Sequence, residues 1–92
     1  MKTIHKYPLS DFCETISMPQ GAQVLTVKSK GGGTFVWALV DTDKPMEKRT
    51  FATIGTEHDA GKYDGELIYI NTLFKGVFVW HIFEVKQKQI ER

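Results

Sequence analysis

Only one cysteine, Cys13, occurs in the 92 residues. A single thiol cannot close an intrachain disulfide, so a disulfide-stapled scaffold is excluded. Catalysis by Cys13 would need a histidine brought to it by the fold. A lone cysteine at a strand position reads instead as a small buried hydrophobe. Long apolar runs are also missing. The longest, Phe35–Val40 and Val77–Phe83, are strand-sized, whereas a membrane-spanning helix takes about 20 residues. No apolar stretch follows a basic start as in a secretory leader. The expectation is a cytoplasmic protein with no membrane contact.

Charge of one sign is scarce too, with a net of +1. Residues 1–30 hold four Lys against two acids (net +2), residues 31–66 four basic against seven acidic (net −3), and residues 67–92 four basic against two acidic (net +2). A phosphate-tracking protein usually shows a basic stripe. No segment here is strongly basic, which argues against nucleic acid as a partner.

What is present is a globular composition, 41% hydrophobic and 25% charged, in a chain long enough for one domain. Turn signals come at short intervals, and the residues between them are β-branched and aromatic. The strands expected are Thr3–Tyr7, Glu14–Met18, Gln23–Lys30, Thr34–Asp41, Glu47–Ile54, Glu66–Leu73 and Val77–Val85. Pro19-Gln20-Gly21 marks a tight turn, with Pro fixing φ. Gly31-Gly32-Gly33 marks a hairpin whose glycines supply positive φ. The fold expected is all-β: six to seven short antiparallel strands in a compact sandwich or small barrel over residues 1–85. A polar tail, residues 86–92, either frays or forms a short helix.

Alternation along three strands says more. Phe35, Trp37 and Leu39 oppose Val36, Ala38 and Val40; Leu67 and Tyr69 oppose Ile68 and Ile70; Val77, Val79, His81 and Phe83 oppose Phe78, Trp80 and Ile82. Both faces are apolar, where a sheet wet on one side would alternate cleanly. Folding the sheet covers one face. The second calls for another surface, so self-association is expected, with Trp37 or Trp80 near the contact.

The order and spacing of several runs resemble a family of small domains of unknown function in tailed-phage and prophage genomes. These runs are Ser17-Met18-Pro19-Gln20-Gly21-Ala22, Trp37-Ala38-Leu39-Val40-Asp41, Glu47-Lys48-Arg49, Gly55-Thr56-Glu57-His58 and Trp80-His81-Ile82-Phe83-Glu84. The likeness spans about residues 3–85, and the Gly31-Gly32-Gly33 turn and the Gln87–Arg92 tail depart from it. It implies a phage accessory protein in a host bacterial cytoplasm or in a virion, and carries over no catalytic residue.

The residues show little chemistry of their own. The histidines, His5, His58 and His81, have no His-x3-His spacing, and Cys13 has no cysteine partner, so no metal or other cofactor is expected. Glu57-His58-Asp59 diverge in an extended loop, and Asp59, Asp64 and Glu66 do not fit a calcium loop. The long polar segment Gly55–Gly65 is the best place for binding. It offers Glu57, His58 and Asp59 as acceptors, Lys62 as donor and Tyr63 as an amphipathic anchor. His81, within an apolar strand beside Trp80, reads as a satisfied core histidine, or as a polar group in a pocket or interface. The expectation is a non-enzymatic, phage-encoded binding protein acting on a host protein or small host molecule, with counter-defence inhibition favoured. The rivals are a self-associating virion or assembly accessory, and a small-molecule sink with a pocket lined by Trp37, Trp80 and His81.

Overall fold

A computed structural model describes residues 1–86. Seven strands follow in chain order: β1 (Lys2–Pro8), β2 (Cys13–Pro19), β3 (Gln23–Lys30), β4 (Gly33–Asp41), β5 (Met46–Gly55), β6 (Glu66–Lys75) and β7 (Phe78–Lys86). They form two antiparallel sheets, β1-β4-β3 and β2-β5-β7-β6. The all-β expectation holds, and each expected strand is present with ends within two residues of those expected. Residue 86 of the expected tail closes β7; residues 87–92 lie outside the described residues.

The turns follow from single residues. Gly31 and Gly32, both at positive φ, make the two-residue loop between the paired Lys30 and Gly33, as a type I′ hairpin requires. In the turn after β2, where Ala22 N–H donates to Pro19 C=O, Gly21 stands third at φ 80°. That is the geometry of a type II turn, so the glycine rather than the proline sets it. Glu47 accepts from Gly21 N–H and Arg49 donates to Ala22 C=O, fastening this turn to β5.

The sheets face each other. Val27, Val36, Ala38 and Val40 from one meet Ile16, Met18, Phe51 and Ile82 from the other, all buried. Two β-bulges interrupt the alternation, at Leu25 in β3 and at Ile70 in β6. The second sets Asn71 opposite Ile82 and so onto the inner face. There the Asn71 amide reaches the edge of the other sheet. Its Oδ1 accepts from Val27 N–H and its Nδ2 donates to Val27 C=O, each at 2.8 Å. One side chain thus stands in for a backbone peptide and joins β6 to β3.

A part-buried ion pair occupies one end of the inner face. Arg49 grips Glu84 with Nε and Nη2, and places Nη1 on Ala22 C=O. The hydrogen bond to Glu84 is the main reason the guanidinium pKa lies above its ordinary value, with burial opposing. A group raised in this way contributes stability below its unfolded pKa, so Arg49 keeps its charge throughout the ordinary pH range.

The second faces of the apolar strands are not sealed by the described residues. On the outer side of β4, Phe35 and Trp37 are half-buried and Leu39 is exposed; on β6, Tyr69 is exposed. Cys13 is exposed rather than buried, because the outer side of β2 has no layer over it.

Replacing Asn71 by Leu leaves Val27 N–H and C=O unpaired, and should cost about 2–4 kcal/mol in urea unfolding. Glu84→Met alone should cost about 1–3 kcal/mol, because Arg49 loses its main partner and keeps Glu47 at 3.7 Å and the Ala22 carbonyl. The double change Arg49→Met/Glu84→Met should recover most of that loss, as a thermal-unfolding cycle would show.

Candidate functional site

Opposite the ion pair, the inner face ends at Trp80. Its cross-strand partner is Gly55. A Cβ at Gly55 would sit 2.6 Å from the His58 ring. The missing side chain therefore opens a slot, and the His58 imidazole fills it, meeting Trp80 edge-on at 5.9 Å between centroids. The chain returns on itself to place this ring. His58 N–H donates to Gly55 C=O, and Glu57 adopts φ 70° between them, a conformation costly for a residue with a Cβ.

Two more aromatics pack on Trp80. Phe78 stacks at 5.8 Å with the planes 19° apart, and Phe12 tilts against it at 5.2 Å. Phe12 rides on the β1–β2 loop, which three hydrogen bonds fix. Glu14 Oε1 accepts from the N–H groups of Ser10 and Asp11, and Phe12 C=O accepts from Thr53 N–H. The result is an aromatic end with a cleft on each side of Phe12. One, about 100 Å³, is bordered by His58, Asp59, Lys62 and Tyr63. The other, about 260 Å³, runs between the sheets past Leu9, Leu73 and Lys75. Phe12, Thr53 and Trp80 border both.

The structure brings four of the loop candidates, His58, Asp59, Lys62 and Tyr63, together with Trp80. Glu57 does not line the cleft; its part is the backbone turn that delivers His58. Asp59 is half committed, its Oδ1 accepting from Gly61 N–H. Trp37 lies elsewhere, on the outer side of β4 against Phe35, so the pocket expected from Trp37, Trp80 and His81 does not form. Their assignment to different sheets and faces separates them.

Of the two readings of His81, the core position does not hold, although its hydrogen bonds are satisfied. The residue sits on the outer face, half-buried, rather than in the core between the sheets. Both ring nitrogens are engaged: Nε2 with Thr56 Oγ1 at 2.9 Å, and Nδ1 with Thr72 Oγ1 at 3.1 Å. Thr72 is in turn bonded to Tyr69 Oη. Each ring nitrogen thus has a threonine hydroxyl as its partner. Among the described residues, no three of His, Cys, Asp and Glu converge as a metal ion would need.

Phe12 and Phe78 are the site residues that sequence reasoning missed. Phe12 follows Ser10-Asp11 in a segment with no strand pattern. A large apolar residue in a polar loop was the available signal.

A methyl group at Gly55 would expel the His58 ring. Gly55→Ala should abolish the ring-current shift that Trp80 imposes on the His58 ring protons, read by NMR, at a stability cost of about 1 kcal/mol.

No curated protein and no solved structure matches the chain. Over residues 1–92, however, it matches the family described as Domain of unknown function (DUF7352), and the chain belongs to that family.

Proposed function

We propose that this chain is a non-enzymatic binding protein that docks a protein partner through the aromatic end around Trp80. One observation carries this reading: Phe12 and Phe78 remain 62% and 60% exposed while packed on Trp80. Exposed aromatics on a rigid base, with a tryptophan at the centre, have the composition of a binding hot spot. Cleft size favours a protein over a small molecule. Pockets for small ligands run from about 300 Å³ upward, and each cleft is smaller, at about 100 and 260 Å³. Such spaces suit single apolar side chains of a partner. The rim, with Asp59, Lys62 and Tyr63, supplies polar contacts around them.

Resemblance to the phage and prophage domains supports a finer statement: a phage-encoded protein acting on a host protein in the bacterial cytoplasm, with inhibition of a host defence as its use. Self-association is the second reading. It is favoured by the β6–β7 hairpin, where Phe74 and Val77 are 78% and 90% exposed next to Phe78. A self-associating accessory of the virion would use that hairpin.

The test pairs wild type with Phe12→Ser/Phe78→Ser. Proteins retained from a bacterial lysate only by wild type would be purified and titrated calorimetrically. A loss of roughly 10- to 100-fold in the double variant, with unchanged circular dichroism, is expected from hot-spot residues. Equal affinity of both forms for every purified candidate would refute the docking site. A wild-type dimer in sedimentation equilibrium that the double variant loses would favour the second reading.

A further inference from the structure

The outer face of β1-β4-β3 collects a charge that the linear sequence disperses. Antiparallel pairing puts Lys2 and Lys6 of β1 on the same side as Phe35 and Trp37 of β4, and Lys28 and Lys30 of β3 on that side too. Lys28 pairs directly with Phe35, and Lys6 with Trp37. The acids of the first thirty residues, Asp11 and Glu14, belong to the β1–β2 loop and to β2 of the other sheet. The one acid in register on this face is Asp41, at its far end opposite Lys2. Its Oδ1 accepts from Asp43 N–H, the largest cause of a pKa below the ordinary carboxylate value. None of the four lysines forms an ion pair among the described residues.

Between the lysines lie two aromatic rings. Phe35 and Trp37 sit at i and i+2 on the middle strand, their centroids 5.9 Å apart, both half-buried. Gly33 has no side chain, and a Cβ there would come within 3.1 Å of the Phe35 ring, so this glycine leaves room for the ring to lie low on the sheet. Lys6 Nζ stands 4.7 Å from the centroid of the Phe35 ring. Ammonium groups beside accessible rings on a rigid sheet form the combination that holds a nucleotide chain: cations take the phosphates and rings take the bases.

We infer that this face binds single-stranded nucleic acid. A second copy of the same face is disfavoured, since two-fold packing would press lysines against lysines. An acidic protein segment would satisfy the lysines and leave both rings without a stacking partner. A duplex would shield its bases from them. The cleft at Trp80 shares no residue with this face, so either reading can fail alone.

The experiment titrates the full chain with fluorescein-labelled dT15 and rU15, following anisotropy and tryptophan emission at several salt concentrations. The parallel probes are a 15-base-pair duplex and poly-glutamate. Four lysine–phosphate contacts to a single strand set a slope of log K against log salt of about −3, smaller by about 0.7 for each lysine changed to Gln. Binding should quench Trp37, and the quench should vanish in Trp37→Phe. Trp37→Thr should weaken binding by roughly 5- to 100-fold, the cost of one lost base–ring stack. Lys6→Gln/Lys28→Gln, which alters only exposed side chains, provides an independent arm should the threonine variant not fold. The proposal is overturned by any of three results: no binding of dT15 or rU15 at 50 mM salt and millimolar protein; equal binding of duplex or poly-glutamate; or binding that leaves emission and the lysine variants unchanged.

Discussion

The two sheets are joined at one corner by a side chain behaving as a peptide. The Asn71 carboxamide carries one acceptor and two donors on a planar frame, so it can exchange both bonds with Val27 as a neighbouring strand would. It reaches Val27 because the bulge at Ile70 turns the next residue inward. The rest of the inner face follows from where this corner fixes β3 over β6. The Arg49–Glu84 pair then closes one end and the Trp80 cluster the other, with the valines of one sheet against Phe51 and Ile82 between them.

Much of this fold was legible in local sequence, since strands and turns are local. Gly31-Gly32 announced its hairpin through the only residue type at ease with positive φ. The doubled apolar alternation in β4, β6 and β7 was legible as well, and it described both the inner core and the part-exposed outer rows. The bulges were not. A bulge inserts one residue without a compositional mark, and Asn71 therefore read as part of a plain strand end. The separation of Trp37 from Trp80 was hidden for a related reason: which sheet a strand joins depends on long-range pairing that alternation does not encode.

Charge followed the same rule. A count by segment dilutes Lys2, Lys6, Lys28 and Lys30 with the acids Asp11 and Glu14. Strand pairing re-sorts them, because β1 and β3 flank β4 while β2 crosses to the other sheet. The loop candidates were placed better. His58, Asp59, Lys62 and Tyr63 do meet in one cleft, but the residue that organises them is Gly55, through the atoms it lacks. Glu57 contributes an unfavourable backbone angle rather than its carboxylate.

The backbone fills a slab of 42 × 41 × 16 Å, so two layers account for its whole depth. Most strands are then walls with the interior on one side and solvent on the other; β5 is the exception, with Ala52 and Ile54 buried on its outer side next to inward Phe51. A lineage of such proteins could rewrite the exposed outer positions, as along β1 and β4, and leave the interior untouched. Diversification of what the molecule meets is in this way uncoupled from its ability to fold.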